Sequence, residues 1–150
     1  MATVGIVSPG AMGSAVGRVL AEGGARVVAT VAGRSERTRE LADGLELLPS
    51  LREVVAASAI VLSVVPPGEA RSVATTLAAA AVETHSTPLV ADLNAISPRT
   101  AANVAALLEA AGLEAIDGSI SGPPPRRPGT TIVYLSGAEA ARVGELDAPG

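Results

Sequence analysis

Short segments rich in valine, isoleucine and leucine alternate along this chain with longer segments in which apolar residues recur every three or four positions. The short segments predict β-strands and the longer ones predict amphipathic helices. We expect strands at residues 3–7, 26–31, 45–48, 59–65, 89–92, 113–117 and 131–135. We expect helices at residues 11–22, 35–43, 50–57, 68–82 and 99–111, with a further helix beginning at residue 138. Residues 118–130, dense in glycine and proline, are predicted to form a loop.

Residues with strong positional preferences flank several of these helices. Gly23 and Gly24 follow a helical segment, where a left-handed conformation is often needed. Ser97 precedes Pro98, which is the pattern of an N-cap followed by proline in the first turn. Ser50 and Glu53 have the spacing of a capping box. The helix boundaries are therefore predicted by local chemistry as well as by periodicity.

The order of these elements predicts a fold class. Strands that alternate with helices are typical of βαβ units, whose strands lie parallel and whose helices cover the sheet. We expect a doubly wound α/β domain of the Rossmann type with a mostly parallel sheet. The chain has 150 residues, which fits one domain over residues 1–150. Whether that domain is complete at its C-terminal end stays open.

Composition excludes several classes of function. The formal net charge is −4, which gives no basic surface for nucleic acid or for an anionic membrane. The chain has no cysteine and one histidine, so we expect no thiolate metal site and no metal site of any kind. All 11 basic residues are arginine, so no lysine can serve as an acid or a base. No targeting segment or membrane span is recognisable, and we expect a cytoplasmic protein.

A glycine-rich turn follows the first predicted strand. It has the form of the dinucleotide-binding motif G-x-G-x-x-G with serine at the first position, and it comprises Ser8, Pro9, Gly10, Ala11, Met12 and Gly13. Gly10 would let the backbone approach a pyrophosphate, and Gly13 would let the helix pack tightly on the strand. The alternative is a glycine turn with a structural role alone. Because the turn joins a strand to a helix in a predicted α/β fold, cofactor binding is favoured.

The end of the second predicted strand bears on which cofactor binds. An acidic residue here would hold the ribose hydroxyls of NAD, but the sequence offers Gly33, Arg34 and Ser35, with Arg37 close behind. Arginine and serine suit a 2′-phosphate, so NADP is favoured over NAD. The alternative is that Arg34 is a solvated loop residue and Ser35 only an N-cap.

With these segments in place, the chain resembles the NADP-binding N-terminal domain of the 6-phosphogluconate dehydrogenase and 3-hydroxyisobutyrate dehydrogenase superfamily. Besides the glycine turn, three stretches carry the resemblance, at residues 64–66, 92–98 and 116–122. The resemblance implies that Val65, Pro66 and Asn94 lie at the cofactor. It also implies that Asn94, Ser121 and Gly122 bind a small substrate with an acidic group.

The chain departs from the family pattern at two places. Pro123 replaces the usual second glycine, and Asn94 with Ala95 replaces the usual Ser-Thr pair, so the substrate is not carried over. Ordinary loop roles remain open for Ser121 and Gly122. Asp92 at a strand end is open to a local capping role, and His85 is expected to be a solvated loop residue.

The resemblance implies hydride transfer between NADP(H) and a small acid-bearing substrate in the intact enzyme. Members of this superfamily complete the site with a catalytic lysine and an all-helical second domain, usually as homodimers, and both are missing here. We therefore expect no catalytic residue in this chain and no activity from it alone. A different class stays open, namely a stand-alone NADP-binding or redox-sensing module without catalysis. Pyrroline-5-carboxylate and deazaflavin-linked reductases use a similar glycine turn, but the stretches ending at Pro98 and Gly122 argue against them.

Overall fold

Strands and helices alternate in the predicted order. The computed structural model describes residues 3–7, 10–94, 96–121 and 132–136. The strands within these ranges are β1 (Thr3–Val7), β2 (Arg26–Ala29), β3 (Glu46–Leu47), β4 (Ile60–Ser63), β5 (Leu89–Asp92), β6 (Ala115–Ser121) and β7 (Ile132–Ser136). The helices are α1 (Ala11–Glu22), α2 (Glu36–Leu41), α3 (Leu51–Ala57), α4 (Ala70–Thr84) and α5 (Pro98–Ala110).

The seven strands form a single sheet in the order β3-β2-β1-β4-β5-β6-β7. The first six strands are parallel, and β7 pairs antiparallel with β6. The strand order therefore reverses between β1 and β4. The prediction of a doubly wound, mostly parallel α/β fold is confirmed. In such sheets, ligands bind outside the carboxyl ends of the strands, where the order reverses.

The sheet buries both of its faces, which is why β4 and β5 are buried throughout and apolar up to their last residues, Ser63 and Asp92. Val61 and Val90 lie on one face and pack with residues of α3, α4 and α5. Leu62 and Ala91 lie on the other face, in a cluster that includes Leu20 of α1. With no Phe or Trp in the chain, small aliphatic residues fill this core, and helices can lie close to the strands.

Two of the predicted N-caps form as expected, and a third does not. Ser35 accepts a hydrogen bond from the Thr38 N–H at 3.2 Å, and Ser97 does the same from Thr100. Ser50 makes no hydrogen bond of this kind, and its hydroxyl donates instead to the Glu53 carboxylate. The predicted capping box is therefore wrong in its bonding, although α3 begins where expected.

The connection from β4 to α4 differs from the prediction. The strand ends at Ser63 rather than at residue 65, and the helix begins at Ala70 after a single 3₁₀ turn, Pro67–Glu69. Proline has no N–H to donate, so Pro66 and Pro67 cannot continue the ladder of the sheet. The helix also runs further than predicted, to Thr84.

The predicted loop at residues 118–130 is wrong at its start. Residues 118–121 belong to β6, where the register runs from Asp117 opposite Ser136 to Ser121 opposite Ile132. The β5 register ends at Asp92 opposite Asp117, so the β6–β7 ribbon extends past the carboxyl end of β5. This pairing joins segments that are distant in sequence, and local composition does not reveal it. The predicted helix at residue 138 lies outside the described residues. None of the helices described is long and apolar enough to cross a membrane.

Candidate functional site

The N-terminus of α1 lies at the carboxyl end of β1, beside the point where the strand order reverses. Gly10 is its N-cap, and the Ser14 N–H donates to the Gly10 carbonyl at 2.8 Å. The N–H groups before Ser14 precede this first bond of the helix and are available to a ligand. No side chain caps them, and the first turn contains no acidic residue. A helix end of this kind favours a phosphate.

The space beside Gly10 is open among the described residues. A Cβ built on Gly10 meets no atom within 4 Å, so the backbone faces open space at this point. Ala11 is exposed, Met12 is half-buried and Gly13 is buried. These residues keep the placement that the motif predicts, with the helix end open and its third glycine inside. Ser8 and Pro9 lie outside the described residues.

Gly17 is a packing residue that the sequence analysis missed. A Cβ at Gly17 would lie 3.2 Å from Val27 Cγ1 and 3.5 Å from Ile6 Cγ1, so α1 approaches β1 and β2 closely here. Gly13 and Gly17 are four residues apart and both are buried on the inner face of α1. That spacing was the available signal, because residues four apart share one face of a helix. The close approach fixes where the N-terminus of α1 points.

A cavity of about 320 Å³ opens at the carboxyl ends of β1 and β2. The residues that line it come from both strands, the loop after β2, and two helices, namely Ile6, Val7, Thr30, Ala32, Gly33, Arg34, Leu51 and Thr76. The cavity therefore brings the predicted residues Gly33 and Arg34 together with the end of β1. Its walls combine apolar surface with one cationic group, which suits the adenosine half of a dinucleotide.

The loop after β2 explains how Arg34 reaches the cavity. The Arg34 N–H donates to the Val31 carbonyl at 3.0 Å and closes a turn. Gly33 within that turn has a φ of +70°, a conformation that favours glycine. Arg34 is half-buried, and no carboxylate among the described residues forms an ion pair with it. Ser35, by contrast, is exposed and has the N-cap role that was the alternative to ligand binding.

A second group of polar residues lies at the carboxyl ends of β4 and β5. Asn94 is only 5% exposed, and its side-chain oxygen accepts a hydrogen bond from the Val65 N–H at 2.7 Å. Its amide nitrogen donates to Ser63 Oγ at 3.3 Å. Val65 lies two residues beyond the end of β4, and the structure brings it together with Asn94 across 29 residues of sequence, with Pro66 next to it in the chain. Both ends of the Asn94 side chain therefore contact protein groups.

Asp92 is a buried carboxylate at the same edge of the sheet. Its Oδ1 accepts a hydrogen bond from the Asn94 N–H at 3.0 Å, which is the local capping role that the sequence left open. Burial raises the pKa of Asp92 above its ordinary value, and the charge of Asp117, its partner on β6, raises it further. The hydrogen bond from Asn94 acts in the opposite direction. Asp92 is therefore a group whose charged form is costly in the folded chain.

Two described residues considered in the sequence analysis, Ser121 and His85, lie outside the cavity and outside the polar group at the ends of β4 and β5. Ser121 is the last residue of β6, four positions beyond Asp117, and Gly122 lies outside the described residues. His85 is exposed, as expected, but it ends α4 in a left-handed conformation with φ 53° and ψ 40°. The described residues contain no cluster of three or more His, Asp or Glu side chains that could hold a metal ion.

The strand order, the open N-terminus of α1 and the cavity at the ends of β1 and β2 together define a dinucleotide-binding domain of the Rossmann type. Comparison with family models shows to which family of such domains the chain belongs. Residues 3–147 match the NAD-binding domain of 6-phosphogluconate dehydrogenase, and the chain belongs to that family. The predicted resemblance is thereby confirmed.

Solved structures with this fold include both dehydrogenases and imine reductases. The conserved protein MTH1747, of unknown function and structurally similar to 3-hydroxyacid dehydrogenases, is 27% identical with a TM-score of 0.83, over 96% of this chain and 53% of that one. Mycobacterium tuberculosis 3-hydroxyisobutyrate dehydrogenase, solved with L-serine, is 24% identical with a TM-score of 0.75, over 97% and 50%. A Myxococcus stipitatus imine reductase variant in complex with NAD⁺ is 23% identical with a TM-score of 0.66, over 83% and 42%.

Two further findings limit what the comparisons say about function. The chain spans about half the length of the solved structures that it resembles. No curated protein matches it in sequence. The comparisons therefore bear on an NAD(P)-binding domain, and the activity of a whole protein is a separate question.

Proposed function

We propose that this chain is the NADP-binding domain of an oxidoreductase of the 6-phosphogluconate or β-hydroxyacid dehydrogenase type. The observation that carries the choice of NADP is the position of Arg34. It lines the cavity beside β1 and β2 and has no ion-pair partner among the described residues. A planar guanidinium binds phosphate oxygens through paired, charge-assisted hydrogen bonds. The described residues that line the cavity include no carboxylate that could hold ribose hydroxyls instead.

The residues of this chain would have three tasks. The N–H groups at the start of α1 would bind the pyrophosphate, with Gly10 leaving room for it. Arg34, assisted by Ser35, would bind the 2′-phosphate. The far side of the site, beyond the point where the strand order reverses, would be formed by Val65, Pro66 and Asn94. The substrate would bind next to Ser121 and Gly122. The nicotinamide of the bound cofactor supplies the hydride-transfer chemistry.

The proposed substrate is a small molecule with an acidic group. The M. tuberculosis neighbour was solved with L-serine, which carries a carboxylate. The chain contains no lysine, so a lysine that donates or accepts the reaction's proton would have to come from outside these 150 residues. We propose that a helical domain in a homodimer provides it, and that this chain alone binds cofactor without turnover.

Calorimetric titration with NADPH and NADH tests the cofactor assignment. We expect NADPH to bind tighter than NADH by roughly ten- to a hundredfold, because a hydrogen bond to a charged group contributes about 1.5 to 3 kcal/mol. Arg34→Ala should lower NADPH affinity to the level of NADH and leave NADH binding unchanged. Arg39→Ala, an exposed arginine of α2, is the matched control.

Two results would contradict the proposal in different ways. Equal affinities of the wild-type chain for NADPH and NADH would overturn the 2′-phosphate role of Arg34. Failure of the folded chain to bind either cofactor would overturn the cofactor site itself.

A further inference from the structure

The segment that follows β4 has few backbone N–H groups that can hydrogen-bond to the neighbouring strands. The Val64 N–H donates to the Val7 carbonyl on β1 at 2.6 Å, and the Val65 N–H donates to the side chain of Asn94. The next two residues, Pro66 and Pro67, have no N–H to donate. Val65 is thus the last backbone donor before Gly68. Proline at position 66 also restricts Val65 to extended conformations.

The Asn94 side chain replaces a backbone acceptor at the point where the hydrogen bonds between β4 and β5 end. The Leu93 N–H donates to the Ser63 carbonyl at 3.1 Å, which continues the pairing of β5 with β4. One step further, no backbone carbonyl of the described residues accepts from Val65, and the Asn94 oxygen does so instead. Ser63, Val65 and Asn94, which we call the β4–β5 clamp, are each less than 9% exposed. All of the buried side-chain polar atoms among the described residues have hydrogen-bond partners.

We propose that Asn94 is a positioning residue, which acts on the nicotinamide half of the cofactor through Val65 rather than by contact. This inference rests on the proposed function. A dinucleotide lies across the point where the strand order reverses. With its adenosine end at Arg34 beside β2, its other half extends over β4 and β5, where the clamp fixes the backbone. Asn94 already bonds protein groups through both ends of its side chain, because its oxygen accepts from the Val65 N–H and its nitrogen donates to Ser63.

The test compares whole and half ligands on the 150-residue chain. Asn94→Ala leaves the buried Val65 N–H without its acceptor, and the segment shifts or takes up water. We expect NADPH affinity to fall on the order of tenfold, while the affinity for 2′,5′-ADP, which lacks the nicotinamide half, stays unchanged. Ser63→Ala should act in the same direction but less strongly, since the Val65 bond remains. Asn103→Ala, an exposed asparagine on α5, is the matched control and should alter neither affinity.

Amide hydrogen exchange at Val65 tests the clamp without any ligand. Exchange should be slow in the wild type and in Asn103→Ala, and faster in Asn94→Ala. If the Val65 amide is equally protected in Asn94→Ala, the clamp is wrong. If NADPH and 2′,5′-ADP lose affinity equally, Asn94 supports the fold as a whole and its specific positioning role is overturned. If the wild type binds neither ligand, the proposed function and the ligand role of Asn94 fall together, while Val65 exchange still decides whether the clamp exists.

Discussion

Gly5 of β1 lies directly against Ser58 at the end of α3. A Cβ built on Gly5 would come within 2.5 Å of Ser58 Oγ and 2.8 Å of Val54 Cγ1. Real Cβ atoms essentially never approach other atoms so closely, so only glycine allows α3 to sit at its observed height above the sheet. The sequence offers no local signal for this contact, because the three residues meet only after the chain has crossed from β3 to β4.

The first prediction follows from that contact. Gly5→Ala should destabilise the chain by about 1 to 3 kcal/mol, because a core already packed must move to admit the methyl group. Denaturant unfolding followed by circular dichroism measures the loss. Adding Ser58→Ala should recover part of it, since the nearer of the two contacts is removed while Val54 remains. An unchanged midpoint in Gly5→Ala would contradict the packing.

Gly10 differs from Gly5, because a side chain at Gly10 should weaken cofactor binding without lowering stability. The φ of Gly10 is −73° and its Cβ direction is open, so Gly10→Ser should fold with unchanged or slightly higher stability, serine being a good N-cap. The added hydroxyl would occupy the N–H groups proposed for the pyrophosphate, and NADPH affinity should fall by on the order of tenfold or more. Calorimetry and thermal unfolding of the same sample separate the two effects. Wild-type affinity in Gly10→Ser would exclude this helix end as the phosphate site.

Asp92 should make stability depend on pH. Its pKa in the folded chain is raised by burial and by Asp117, so the folded state holds the proton more tightly than the unfolded state does. Stability from this group is therefore greatest below its ordinary pKa and falls as pH rises through the folded value. Asp92→Asn, which keeps an oxygen for the Asn94 N–H, should be more stable than the wild type at neutral pH.

Unfolding curves of Asp92→Asn and wild type over a pH series measure that difference. It should be small in acid, grow as pH rises and then level off. A difference that is constant across the series would show that charge on Asp92 is not the cause.

His85 is a further site of strain. It is the one non-glycine residue with positive φ among the described residues, and it ends α4 with its side chain exposed. His85→Gly should stabilise the chain by about 0.5 to 1 kcal/mol, because glycine adopts this conformation without the clash of a Cβ. His85→Ala keeps the Cβ and is the control, with no gain expected. Equal unfolding midpoints for the two variants would argue against strain at this cap.

The sequence predicts the parts of this fold that depend on neighbours along the chain. The strand at Leu89–Asp92 and the N-cap at Ser97 are seen as predicted, because hydrophobic pattern and capping act within a few residues. The glycine turn likewise predicts an open N-terminus of α1 from six consecutive residues. These features also place Arg34 near the site, since the end of β2 always adjoins the end of β1 in such a fold.

What the sequence could not predict depends on contacts between distant segments. The Asn94 side chain meets Val65 only because β4 and β5 are neighbours, and a side-chain acceptor for a backbone donor has no signature in composition. Residues 118–121 look like a loop because glycine and serine dominate turns, yet pairing with β7 makes them a strand. The double role considered for Ser35 has the same origin, because a serine that suits a phosphate also suits an N-cap.

The β6–β7 ribbon has a consequence for motion at the end of the site where we propose that the substrate binds. The parallel strands β2, β1, β4 and β5 each have a neighbour on both sides, so their backbone bonds break only when the sheet opens. Past Asp117, β6 pairs with β7 and with no other described strand, while Ile120 still packs against the core. A ribbon of two strands is less stable than a sheet whose strands are paired on both sides. Such a segment opens as its own unit at a lower free energy than the sheet. Ser121 at its tip can therefore change position while the cofactor edge stays fixed.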